Sequence, residues 1–330
     1  MRAYPACNPA QPAERLARLW ALVMSIFVLG CWADKPVQSF VTTDDSFLSL
    51  SFAHQHPWAL TGNLFLGGAL FEVNQQEPIF IWNHLADQTS DILSSSISLN
   101  DRFALTAEPY SWVHWSLTSG EATGYWHSSS RIHEVALDGS GMFAALALND
   151  ATINYVDVRA GLLLHRFRHQ GPVRSVAIDA QGLWMISGSE DQTARLWRLD
   201  TAQEQWRMEH RNQVRHVNLS PSGNLALSYA NGDGLQIWLT EEQLQLWHFR
   251  NRHGHLSSSH FIDDQRLLVG TRTGQVLLYD LSQGQIKDRW RIPSSTFARH
   301  RSQAILAVGA LGDQLWAASS DGRMHYLGSL

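Results

Sequence analysis

The chain has almost no lysine: Lys35 and Lys287 are the only two, and its other basic residues are arginines. Twenty-five basic residues against 30 acidic ones leave a formal net charge of −5 at pH 7, which gives no surface-wide field for nucleic acid. Cysteine is nearly absent as well. Cys7 and Cys31 are the only thiols, too few for a disulfide framework. Charged residues make up 17% and hydrophobic residues 44%, so disorder is excluded and a large core is expected. The apolar run Leu19 to Leu29 is about a dozen residues, short of the ~20 that a membrane-spanning helix needs. No P-loop, dinucleotide fingerprint or GxSxG elbow is present.

What is present begins at the amino terminus. Arg2, Arg15 and Arg18 precede the apolar run, and Gly30-Cys31 follows it, the order of a secretory signal. The stretch Val28-Leu29-Gly30-Cys31 resembles a bacterial lipobox. That resemblance implies cleavage before Cys31, acylation of its sulfur, a short tether over 31–36, and a folded domain over 37–330. Trp32 stands where lipoproteins retained in the inner membrane carry Asp, so the resemblance favours the outer membrane, facing the periplasm. Losing residues 1–30 removes Cys7 and leaves Cys31 as the sole thiol, consumed by lipid, which suits an oxidising compartment. It also removes three arginines and one glutamate, carrying the net charge from −5 to −7.

The rest of the chain repeats. Trp115, Val156, Trp197, Trp238 and Tyr279 are spaced at a constant interval of 41 residues. Gly141, Gly182 and Gly223 keep the same interval, as do Val135, Val176 and Val217. Trp126, Phe167, Met208, Phe249 and Trp290 form a further column. Gly120, Gly161 and Gly284 mark a hairpin where the middle copies have Ala202 and Gln243. Each copy reads as four short strands separated by turn residues, and a four-stranded unit of ~40–45 residues is one propeller blade. Trp82 and Tyr326 extend the anchor column to seven.

The expectation is therefore an all-β, single seven-bladed β-propeller. Its last copy stops after a third strand, and Val37 to Thr43 is expected to supply the fourth and close the ring. An eight-bladed ring is the alternative, because residues 44–82 fit no register.

The fourth copy, RHQGPVRSVAIDAQGLWMISGSEDQTARLWRLD, resembles a WD repeat nearly from end to end. The resemblance implies that His169, Ser187, Asp191 and Trp197 form the hydrogen-bonded tetrad that pins a blade. Arg168 and Arg198 replace the Gly and Asp usual beside it. The fifth copy matches at His210, Ser228 and Trp238, with Gly232 where Asp is expected. The third has His127, one place early, and Asp150; the sixth has Thr273 and Tyr279.

WD-type propellers dock partners on the loops at one end of the ring. The 41-residue register places His133, Arg174 and Arg215 in one column there, and Asn149, Glu190, Asn231 and Arg272 in another. These seven are the candidate protein-binding rim. The resemblance implies a scaffold, not an enzyme, acting as a monomer on a protein or peptide partner, with no cofactor and no nucleic acid.

The cluster His253, His255 and His260 has the look of a metal site, but it lies where neighbouring copies carry His169 and His210, so no metal is expected. The pairs Asp44-Asp45, Glu241-Glu242 and Asp263-Asp264 fall at turns and read as solvated charge. The rival readings are a propeller enzyme or ligand-binding protein of the envelope, and an accessory lipoprotein of outer-membrane assembly.

Overall fold

The computed structural model describes residues 33–43, 46–63, 66–85, 88–250, 254–293 and 303–330. The export-signal segment, Cys31 and His253 lie outside the described residues. The described residues form seven four-stranded antiparallel sheets, with no helix among them. Blades 1 to 6 span 47–82, 94–127, 132–168, 173–209, 214–249 and 256–291. In each, strands pair in chain order from the first to the fourth. The first strands of successive blades lie against one another and line the axis, and that of blade 7 (Ile305–Leu311) meets that of blade 1 (Phe47–Phe52).

The fourth strand of blade 7 comes from the other end of the chain. Gln38–Val41 pairs antiparallel with Arg323–Ser329, Gln38 opposite Tyr326 and Val41 opposite Arg323. The chain reaches that strand by way of blade 6. The Asp34 amide donates to the Arg289 carbonyl at 2.8 Å, and the Arg291 amide donates to the Asp34 carbonyl at 2.8 Å. One segment therefore ties blade 6 to blade 7 and leaves neither end of the ring open.

The eight-bladed alternative falls away, since 47–82 is one complete blade. The anchor column also needs correcting at both ends. Anchors occupy the fifth position of each third strand and face the preceding blade: Trp197 packs on Ala145 and Ile153, and Trp238 on Ile186 and Leu196. In blade 1 that position is Phe71, 1% exposed, on Gly67–Glu72. Trp82 lies on the fourth strand opposite Gly68, as Met208 lies opposite Ala194, and so joins the Trp126–Phe167–Met208 column. In blade 7 the anchor is Leu327, buried among Leu268 and Leu278 of blade 6; Tyr326 points to the other side, toward blade 1.

The glycine columns have a backbone cause. Gly141, Gly182 and Gly223 take φ of 75°, 68° and 78°, the left-handed region that costs a β-carbon. At the later hairpin Gly120, Gly161 and Gly284 do the same, and Ala202 and Gln243 adopt it too, at φ of 54° and 53°.

The innermost strands have no neighbour on their axial side, so their free amides need other acceptors. Side chains of the preceding blade supply them. Val135 N donates to Ser94 Oγ at 3.1 Å, Val176 N to Glu134 Oε2 at 2.9 Å, and Val217 N to Ser175 Oγ at 3.0 Å. One polar position thus stitches blade 2 to blade 3, blade 3 to blade 4 and blade 4 to blade 5.

Candidate functional site

The loops at the starts of the first strands are held by buried polar pins. In blade 4 the Trp197 indole donates to Ser187 Oγ at 2.8 Å, and Ser187 Oγ lies 2.8 Å from His169 Nε2. His169 Nδ1 lies 2.9 Å from Asp191 Oδ2. A serine has one proton to give, so the chain runs one way: indole to hydroxyl, hydroxyl to Nε2, Nδ1–H to carboxylate. Burial pushes the imidazole down, opposed by its bond to Asp191. Burial raises the Asp191 carboxyl, but His169, the Gln170 amide and Thr193 outweigh it and hold the group well below the usual carboxylate range.

Blade 5 repeats the arrangement and corrects the sequence reading. His210 Nε2 lies 2.9 Å from Ser228 Oγ, and Trp238 donates to that oxygen at 2.8 Å. The acid is present: Asp233, one residue beyond Gly232, lies 3.1 Å from His210 Nδ1.

Blade 2 has a pin that the register missed. His84 Nε2 lies 2.9 Å from Thr106 Oγ1, which accepts from Trp115 Nε1 at 2.8 Å, and Ser111 with Glu108 stands in for the Asp. Blade 7 moves its histidine onto the third strand. His325 bonds Ser319 Oγ at 2.8 Å and reaches Ser39 Oγ on the closing strand at 2.7 Å. Blade 3 has no such pin among its described residues. Leu146 and Val156 fill the Ser and Trp positions, and His127 instead packs edge-on to Tyr125.

Above the pins lies the rim. The structure joins five of its seven residues. Arg174 Nε and Nη2 reach Glu190 Oε1 at 2.8 and 2.7 Å, and Arg215 Nη1 approaches the same oxygen at 3.5 Å. Arg174 Nη1 lies 2.9 Å from His133 Nε2, which lies 3.1 Å from Asn149 Oδ1. Burial pushes His133 down and the Arg174 charge adds to it, so the ring accepts without competing as a cation. Asn231 and Arg272 do not join this network. Both meet His255, Asn231 through its side chain at 3.2 Å and Arg272 through its backbone amide at 2.8 Å.

The rim carries two guanidinium groups on one carboxylate oxygen, with Arg215 side chain 40% exposed. Guanidinium groups held this way have the geometry to pair with a planar acceptor such as a carboxylate. Among the described residues no group of three or more His, Cys, Asp or Glu side chains is placed to hold a metal.

A family model for the WD domain, G-beta repeat, matches residues 161–198. The match covers the outer strand of blade 3 and the first three strands of blade 4, the interval that contains the full tetrad. A comparison with curated proteins returned no match. The chain is a closed seven-bladed β-propeller with His–Ser/Thr–Trp pins in three blades, and the interval 161–198 within it is similar to the WD repeat.

Proposed function

We propose that the protein is a lipid-anchored interaction platform of the bacterial cell envelope, docking a protein or peptide partner on the loop face that carries Arg174, Glu190 and Arg215. The observation that carries the docking reading is the shared Glu190 oxygen. Two arginines from successive blades converge on it, so a partner carboxylate can take the place of Glu190 or add beside it. The rigid ring beneath fixes their separation, and loops on a rigid scaffold are where recognition residues concentrate. The anchor rests on the Val28-Leu29-Gly30-Cys31 motif, and the outer membrane on Trp32 after it.

Crosslinking in intact cells with the double variant Arg174→Ala/Arg215→Ala tests the docking face. Loss of the captured partner with unchanged thermal unfolding supports it; unchanged capture refutes it. Labelling with a fatty-acid analogue tests the anchor separately. Cys31→Ala removes the label if Cys31 is the acylated residue, and persistent labelling excludes it.

A further inference from the structure

Blade 3 lacks a pin, and a cavity lies where the pin would stand. A cleft of about 290 Å³ opens between blades 2 and 3, close to the lower end of the ~300–1,000 Å³ typical of small-ligand sites. Its lining includes Ser128, Leu146 and Val156, which lie 41 residues before His169, Ser187 and Trp197 of the blade 4 tetrad. Val156 does without the indole that fills this wedge in blade 4, and Leu146 does without the hydroxyl that holds it. Blade 2 refills part of the space. It presents Trp112 and Trp126 at positions where blade 3 has Ile153 and Phe167 and blade 4 has Ala194 and Met208. The two indoles stack at 4.2 Å between centroids and line the cleft with Leu146, Val156 and Leu163 as its apolar floor.

Two groups in the cleft have lost the partners that their counterparts keep. Arg207, on the fourth strand of blade 4, donates to Glu204 at 2.9 Å. The same positions in blade 3 are Arg166 and Leu163, so the arginine remains and its carboxylate is gone. Arg166 Nε donates to Asn154 Oδ1 at 3.0 Å, and its terminal nitrogens meet no acceptor among the described residues. Trp112 is the second. It is 5% exposed, and its indole N–H donates to nothing among the described residues, whereas Trp115, Trp197 and Trp238 each donate to a hydroxyl. A buried donor without an acceptor is costly unless a guest in the cavity takes it up. Among the described residues the lining holds no Asp or Glu, and Arg166 is its one guanidinium. An apolar floor, an indole donor and a guanidinium without its carboxylate are complementary to a flat ring that carries an acid.

We propose that the cleft between blades 2 and 3 binds a small aromatic carboxylate, its ring on the apolar floor and its carboxylate on Arg166. The cleft shares no residue with the Arg174–Glu190 rim, so it is independent of the docking reading. Titration calorimetry of the full chain with para-hydroxyphenylacetate tests it, with para-hydroxyphenylacetamide as the uncharged control. The acid binds and the amide does not. Arg166→Gln lowers the affinity at least about tenfold, the scale of one hydrogen bond to a charged group. Leu163→Glu restores the carboxylate that Arg207 has in blade 4, occupies Arg166 and lowers the affinity to a similar extent. Both positions are exposed, so both variants keep the thermal unfolding of the parent protein. In the unmodified protein the bound acid shifts the Trp112 indole N–H resonance, its phenolic oxygen serving as the acceptor. Absence of binding overturns the proposal, as does equal binding of the amide, an affinity indifferent to Arg166→Gln and Leu163→Glu, or an unmoved Trp112 resonance.

Discussion

Ser39 Oγ lies 2.7 Å from Nδ1 of His325, joining the strand that opens the propeller to the strand that ends it. The same imidazole bonds Ser319 through Nε2, and Ser319 in turn bonds Asp321. Closure is therefore a polar lock as well as a backbone ladder. Ser39→Ala leaves a buried ring nitrogen unsatisfied and is expected to cost about 1–3 kcal/mol. Deleting residues 37–43 removes the ladder too. Far-UV dichroism and tryptophan fluorescence should then both show one transition at lower urea. An early, separate transition confined to one probe would mean the last blade frays alone.

The blade pins predict a graded series. Ser187→Ala strands both the Trp197 indole and His169 Nε2, both buried, so a loss of about 3 kcal/mol is expected. Thr106→Ala removes the corresponding hydroxyl in blade 2 and should cost a similar amount. Urea midpoints at constant m-value measure both. Losses below about 1 kcal/mol would show that packing, not the pin, holds these blades.

Two positions are strained and can be relieved. Ala202 and Gln243 hold φ of 54° and 53° where the equivalent hairpins of other blades have glycine. The left-handed conformation costs a β-carbon about 1–2 kcal/mol, partly offset by the greater freedom of glycine in the unfolded chain. Ala202→Gly and Gln243→Gly should each stabilise the fold by up to about 1 kcal/mol. A lowered melting temperature in both would contradict the strain.

Buried histidines make the fold acid-sensitive in a defined window. Burial holds His84, His216 and His325 down at about 4 and His260 at about 3, against 6.5 in the unfolded chain. Lowered folded values mean that the unfolded chain binds more protons between about pH 4 and 6.5, so stability falls as pH falls through that window. Glu134 acts in the opposite sense. Burial raises it to about 7, so the folded state holds its proton below that value and gains stability there. Four imidazoles outweigh one carboxyl: these five groups alone should take up about three protons net on unfolding at pH 5, and the other lowered histidines add to that uptake. Urea midpoints between pH 5 and 6.5 measure the slope; a flat profile would show that these rings are solvated. Glu134→Gln should steepen it.

The middle of this fold was legible because blades 3 to 5 keep equal loop lengths and in blade 6 a longer entry loop is offset by a shorter first hairpin, so one column of bulky anchors reports them all. The ends broke that register. In blade 1 the anchor is Phe71, on a strand buried throughout except at its last residue, with no alternation to mark it, and Trp82 drew the eye to the strand beyond. Asp233 was hidden by a one-residue shift in its turn, and His84 by the longer loop before blade 2. The rim columns were readable from spacing alone. That Arg174 and Arg215 share one oxygen of Glu190 was not, because side-chain convergence across two blades leaves no trace in a linear pattern. The sequence grouped His260 with His253 and His255; that its ring neighbours His54 of blade 1 follows only from closure of the ring.

The rim itself can be tested without a partner. His133 is depressed first by burial and then by the Arg174 and Arg131 charges, against the raising effect of Asn149 and Glu190. Arg174→Ala removes one of those charges and the guanidinium packed 2.9 Å from Nε2, so the ring gains both solvent and a less positive field. Its titration midpoint, followed by NMR, should rise toward 6.5. Glu190→Gln should move it the other way, because it takes away a carboxylate that favours the imidazolium while leaving the two arginines in place. Opposite shifts in these two variants would establish that His133, Arg174 and Glu190 form one electrostatic unit in solution. No shift in either would mean the arginines point into solvent and the rim is not assembled before a partner arrives.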